Sequence, residues 1–280
     1  MQIVEISPTN AAYPKEWQGF PDKPQTVYAA GNVSLLHSRK FTVVGSRKTP
    51  KAALATGAQI AKELVSAFTL VSGAADGGDS AAIEGALESG KIICVLAGGF
   101  GAIPQGNFAL LEKVSKKGLL LALHPHDTPI RVFSYEYRNK FLAALGEGTL
   151  VLGAGEKSGA LTTAKYAQSF EKPVFALPYP PNSPVGTGCN ALIKKGGYLT
   201  ENSFDILSRF GINCIEKKPL PALTAEETQM LSALQELGEG HIAEIAARAG
   251  APLFKARAVL SALQIKGVAV DLGGNRFSIT

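Results

Sequence analysis

From residue 41 onward, short β-branched and apolar runs alternate with longer segments of helical periodicity. The runs at 41–44, 70–71, 92–96, 119–123, 149–152 and 174–177 read as strands, and the segments 51–67, 79–88 and 161–170 read as helices. Strands that are apolar throughout, separated by helices, can bury both faces of a sheet. The pattern therefore predicts an α/β fold with a doubly wound, mostly parallel sheet covered by helices on both sides. The first forty residues, with Pro8, Pro14, Pro21 and Pro24 spread through them, read instead as an extended arm packing on that sheet.

Composition shifts at 216–222, Glu-Lys-Lys-Pro-Leu-Pro-Ala, which reads as a linker between a domain over 41–215 and a second over 223–280. Thr224 followed three residues later by Glu227 is a capping-box pattern for a helix reaching Leu237. Helices over 241–249 and from Pro252 to Lys266 follow, and 268–280 reads as two strands about Gly273-Gly274-Asn275. Three short helices and a terminal hairpin predict a winged helix-turn-helix. Cys94, Cys189 and Cys214 are too few and too scattered for a disulfide framework or a zinc site, so a reducing, cytoplasmic setting is expected. The start has no basic leader and no run reaches the ~18 apolar residues of a membrane span, which predicts a soluble, unexported protein.

Five segments carry candidate chemistry. Gly45-Ser46-Arg47-Lys48 ends a strand just before a helix, where backbone N–H groups, a hydroxyl and a forked cation favour phosphate; a plain turn with a surface arginine fits it too. Ser72-Gly73 leads into Asp76-Gly77-Gly78-Asp79, where Asp79 is placed to cap the next helix or to pair with Asp76. Tyr135-Glu136-Tyr137-Arg138-Asn139-Lys140-Phe141 interleaves cations with aromatics, a mixture suited to unpaired bases and equally to a helix start with Phe141 and Leu145 in the core. Glu156-Lys157-Ser158-Gly159 with Thr163, and Asn190 with Lys194 and Lys195, add hydroxyls, caps and positive charge. Loops at the carboxyl ends of strands share one rim of an open α/β sheet, where ligands bind. The four histidines follow no metal-ligand spacing, and neither a nucleophile elbow nor a Gly-Lys-Ser/Thr phosphate loop occurs. No metal, cofactor or catalytic residue is expected.

Taken together, these motifs resemble the DprA/Smf family of DNA-processing proteins. The matching segments are Val43-Val-Gly45-Ser46-Arg47, Val71-Ser-Gly73 through Leu87, Arg138-Asn139-Lys140, Ser158-Gly159 through Ala164, Lys172 through Pro178, and Gly188-x-Asn190-x-Leu192-Ile193-x-x-Gly196. The resemblance implies an extended Rossmann-like domain, homodimerisation, single-stranded DNA binding in a basic pocket, and loading of a RecA-type recombinase during natural transformation. It carries Gly45, Ser46, Arg47, Arg138, Asn139 and Lys140 to the DNA backbone and Phe141 to the bases. Asp76, Gly78 and Ile83 stand where the family usually has Arg, an apolar residue and His, and Leu152-Gly153-Ala154 replaces Val-Glu-Ala.

Charge bears on which part holds DNA. The chain has 28 Lys+Arg against 23 Asp+Glu. From Leu223 onward five cations meet six carboxylates, a net of −1, which leaves 23 against 17, a net of +6, on residues 1–222. The excess places the main footprint on the α/β part. Within the winged helix, Lys255, Arg257 and Arg276 are the candidate contacts to DNA, possible duplex included, and a protein-binding role fits the same domain. Two alternatives stand beside this reading. One is a divergent regulator or antitoxin, with a cognate toxin, in a phage-defence or toxin–antitoxin operon. The other is a LOG-like nucleotide N-glycosidic hydrolase, against which the stretch 153–164 lacks the terminal carboxylate expected to stabilise oxocarbenium charge.

Overall fold

Among the described residues, nine strands form the central sheet of the first unit: β1 (Val4–Ile6), β2 (Val27–Gly31), β3 (Lys40–Val44), β4 (Thr69–Ser72), β5 (Ile92–Leu96), β6 (Leu119–Ala122), β7 (Thr149–Val151), β8 (Val174–Ala176) and β9 (Tyr198–Leu199). Their order is β1-β2-β6-β5-β4-β3-β7-β8-β9. The computed structural model describes residues 2–103, 105–212 and 223–279. The chain divides into two compact units, Met1–Asn213 and Cys214–Thr280. Cys214 and the expected linker at 216–222 lie outside the described residues.

Strands β3 to β9 pair in parallel. From β3 the chain winds outward through β4, β5 and β6, then returns to the other side of β3 with β7, β8 and β9. The connections are α1 (Lys51–Leu64), α2 (Gly78–Leu87), α3 (Gln105–Lys117), α4 (Val132–Leu145), α5 (Gly159–Ser169) and α6 (Thr187–Lys194), with α7 (Ser203–Arg209) after β9. The reversal of winding leaves a crevice above the carboxyl ends of β3 and β7. Every residue of β3, β4, β5 and β6 is buried, which explains why β5 and β6 are apolar throughout, while Lys40, Thr42, Thr69 and Ser72 are the buried polar residues of β3 and β4. Ile93 and Val95 join a core with Trp17, Phe141 and Leu142. Phe41, Phe68, Phe175 and Phe210 form an aromatic cluster of their own.

The first forty residues depart from an extended arm. Beyond the last of their prolines, Val27–Gly31 pairs antiparallel with β6, and ahead of the first, Val4–Ile6 pairs with β2. This segment therefore extends the sheet. The prolines end at Pro24, ahead of β2, so the run 27–31 keeps the N–H donors a ladder needs.

The second unit contains α8 (Ala225–Leu237), β10 (Glu239–His241), α9 (Ile242–Arg248), α10 (Leu253–Ile265), β11 (Ala269–Gly273) and β12 (Arg276–Ile279), with an antiparallel sheet in the order β10-β12-β11. Met230, Leu234, Ile245, Leu260, Leu263 and Phe277 fill its core. The Thr224 hydroxyl accepts from the Glu227 N–H at 3.2 Å and Glu227 accepts from the Thr224 N–H at 2.7 Å, completing the capping box. Gly273, Gly274 and Asn275 all adopt positive φ, the conformation this turn requires.

Candidate nucleic-acid interface

The crevice at the winding reversal contains a cavity of about 550 Å³, walled by the end of β3, one face of α4 and the loop from β7 into α5. Its floor depends on two glycines. A Cβ on Gly45 would lie 2.8 Å from the Gly78 Cα, and one on Gly78 would lie 2.5 Å from the Gly45 Cα. The start of α2 thus abuts the end of β3 backbone to backbone, and Gly78 N–H donates to the Ser46 carbonyl at 3.2 Å. This contact accounts for glycine at 78, where an apolar side chain would clash.

Asp79 lies buried beneath that junction. Its carboxylate accepts from the Gly45 N–H at 2.9 Å and the Ala75 N–H at 3.3 Å, so it ties the preceding loops together rather than capping its own helix. Asp76 is exposed and does not join it or line the cavity. Arg138, only 5% exposed, donates from Nη1 to the carbonyls of Gly73 and Val95. A Cβ on Gly73 would strike both this guanidinium and Asp79, so Gly73 serves by leaving room for them. Burial pushes the Asp79 carboxyl above its ordinary range, opposed by the Arg138 charge and the backbone N–H groups. Burial likewise pulls Arg138 down, opposed by Asp79. Buried Cys94 beside them is pushed far upward by desolvation, then by Asp79, and is no nucleophile.

Above this floor the rim is basic. Arg47, Lys48 and Lys157 line the cavity and are exposed, with Glu156 as the exposed carboxylate among them. Ser158 caps α5 by accepting from the Ala160 N–H at 3.3 Å, and Asn139 donates to the Gly159 carbonyl at 3.3 Å, which fastens α4 to the α5 start. Half-buried Tyr135 supplies an aromatic wall, with the Arg138 guanidinium 5.9 Å from its ring centre. The cavity combines exposed cations, a ring face and the start of a helix, which suits a phosphate chain carrying planar groups.

Of the residues singled out in the sequence, the cavity gathers Gly45, Ser46, Arg47, Lys48, Arg138, Asn139, Ser158, Gly159 and Thr163. The others lie elsewhere. Phe141 has 0% exposure, packed edge-on against Trp17 and Phe20, and cannot stack on a base. Lys140 pairs with Asp22 and lies 4.7 Å from the Phe20 ring centre, turned toward the N-terminal segment. Asn190 sits within α6 and pins Tyr179 through both its N–H, at 3.1 Å, and its carbonyl, at 2.9 Å. Lys194 and Lys195 are exposed at the far end of α6, because a crossover helix carries its last turn to the opposite edge of the sheet. In the second unit, Lys255 pairs with Glu226, Arg276 with Glu239, and Arg257 with the Asn275 amide.

Sequence reasoning passed over Tyr135 in favour of Phe141. Helical spacing held the signal: residues 135, 138, 139 and 142 share one face and line the cavity, while Tyr137 and Phe141 share another and meet the core. Gly153, where the family carries Glu, faces Thr49 and Tyr179; a Cβ there would lie 2.5 Å from Thr49 Oγ1 and 2.9 Å from the Tyr179 hydroxyl. Ile83 is fully buried.

The family model for DNA recombination-mediator protein A matches residues 5–211. The DNA processing protein DprA of Mycobacterium tuberculosis is 32% identical over 262 residues, which are 88% of this chain and 66% of that one, so the chain spans just under two thirds of that relative. DNA processing protein A from Streptococcus pneumoniae has a similar structure, with a TM-score of 0.70, 30% identity and 74% of each chain covered. That of Helicobacter pylori, whose structure addresses its single-stranded DNA binding mode, gives a TM-score of 0.69 and 28% identity, covering 75% of this chain and 96% of that one.

Proposed function

Because the chain belongs to the DNA recombination-mediator protein A family, we propose that it binds single-stranded DNA in the β3–β7 cavity and passes that strand, as a homodimer, to a RecA-type recombinase. One observation carries the binding reading. Exposed Arg47, Lys48 and Lys157 surround the same cavity that Tyr135 walls, giving phosphate contacts and a stacking face at one place. Ser46, Asn139, Ser158 and Thr163 add polar contacts beside them. Arg138 acts here from beneath, by holding the loop that presents these groups.

A binding role rather than catalysis is supported by the carboxylates. Asp79 is buried under two backbone N–H groups, and Glu156 is exposed on the rim, so neither is poised with the other as an acid–base pair. Among the described residues no helix is long and apolar enough to cross a membrane.

The test is fluorescence anisotropy with a labelled oligothymidylate across a salt series. Arg47→Ala with Lys157→Ala should weaken binding and lower the salt slope by about 1.4, at about 0.7 per phosphate contact on a single strand. Tyr135→Ala should cost about 1–3 kcal/mol per stacked base, with the circular dichroism spectrum unchanged. Unchanged binding in these variants, or tighter binding of mononucleotides than of oligonucleotides, would sink the reading. Nucleation of RecA filaments on strands precoated with single-strand-binding protein tests the second half.

A further inference from the structure

One face of α10 in the second unit is apolar and open to solvent. Phe254, Ala258, Ser261 and Ile265 recur at i, i+4, i+7 and i+11, which aligns them along the helix. Phe254 is 78% exposed and Ile265 87%, and Leu253 stands beside them at 55%. The opposite face, through Ala256, Leu260 and Leu263, is fully committed to the core. Large apolar side chains left in water along a helix that is already anchored mark a contact surface.

The flanks say what kind. Lys255 and Arg257 border the stripe on opposite sides, and α10 contains no carboxylate. Arg257 is held by the neutral amide of Asn275 at 2.9 Å, which leaves its charge undiminished, and Lys255 shares Glu226 at 3.3 Å in an exposed pair that exchanges easily. Duplex DNA would offer negative charge too, but a helix reading base edges presents donors and acceptors, and three of these four aligned residues have no side-chain polar atom.

We propose that the exposed face of α10 docks an amphipathic helix of a partner protein, whose apolar ridge lies along Phe254, Ala258, Ser261 and Ile265 and whose bordering Asp and Glu residues meet Lys255 and Arg257. Ala258 and Ser261 at the middle let the two helices approach closely, while Phe254 and Ile265 grip at the ends. This docking is independent of the cavity in the first unit.

The experiment uses the full chain and two fluorescein-labelled peptides of about 18 residues, long enough to hold a helix. They share one leucine ridge and differ in having Glu or Lys along its borders. The Glu-bordered peptide should bind, with the Lys-bordered one at least about tenfold weaker. The double variant Phe254→Ala, Ile265→Ala should lose at least about tenfold, as anchoring side chains do. Arg257→Gln should weaken only the Glu-bordered peptide. Equal binding of both peptides, or binding that survives the double variant, overturns the proposal. It also falls if the double variant abolishes binding of a duplex oligonucleotide, making the face a DNA contact. It falls again if that variant lowers the oligomeric mass of the chain in light scattering, since a second copy would then cover the stripe.

Discussion

Replacing Arg138 with Met separates a supporting role from a ligand role. The change keeps the apolar stem and removes the guanidinium that donates to the carbonyls of Gly73 and Val95. Each buried carbonyl left unpaired costs about 1–3 kcal/mol. Asp79 also loses the positive charge that opposes its desolvation. Breaking a buried charged contact of this kind typically costs about 3–5 kcal/mol, a large part of the roughly 5–15 kcal/mol that holds a domain together. For a unit of this size the midpoint should fall by roughly 6–20 °C. The pH dependence has a definite sign. Because the folded-state carboxyl of Asp79 is raised, its contribution is fully present below the unfolded value and is lost as pH rises through the folded one. Removing Arg138 raises that carboxyl further, so both proteins lose stability alike until the wild-type carboxyl ionises, and the deficit of the variant should grow only as pH rises beyond that point. Urea denaturation at a series of pH values measures this. A loss below about 1 kcal/mol, independent of pH, with oligonucleotide binding abolished, would refute the reasoning and make Arg138 a direct phosphate ligand.

Three further outcomes follow from the same geometry. Gly78→Val forces a side chain into the Gly45 backbone, 2.5 Å from a Cβ at that position, and should destabilise by about 2 kcal/mol or more in thermal unfolding. Lys140→Met should return Asp22, now held below the usual carboxylate range by the Lys140 hydrogen bond, to its ordinary titration in an NMR experiment. Stability from that lowered carboxyl is present above its unfolded value and lost as pH falls through the folded one, and for so exposed a pair it should not exceed about 1 kcal/mol. Thr224→Ala removes the α8 cap and should cost the second unit about 1 kcal/mol, read by hydrogen exchange in its first turn.

The parallel sheet was legible in the sequence because its strands are buried on both faces. Residues 92–96 needed no neighbour to identify them, since five consecutive apolar positions hide nothing behind alternation. β2 was harder: the prolines that precede it dominate the local pattern, and the partner that makes it a strand, β6, lies some ninety residues on. At the cavity, the loops that follow strands converge as the winding rule requires, so Gly45 through Lys48 and Ser158-Gly159 could be located in advance. The helix between 132 and 145 could not be resolved by composition, because cations and aromatics occur on all its faces. Only its rotation about the core decides that Tyr135 points to the cavity and Phe141 away from it.

The chain has a single tryptophan. Trp17 is fully buried, its ring meets Phe141 edge-on at 5.3 Å, and its indole N–H donates to the Phe141 carbonyl at 3.0 Å, on the same helix that supplies Tyr135 to the cavity. The protein therefore carries its own optical gauge. Excited at the indole band, it should emit in the blue of a dry, apolar site, and any ligand that shifts α4 against the N-terminal segment will be visible as a change in colour or lifetime, with no label attached.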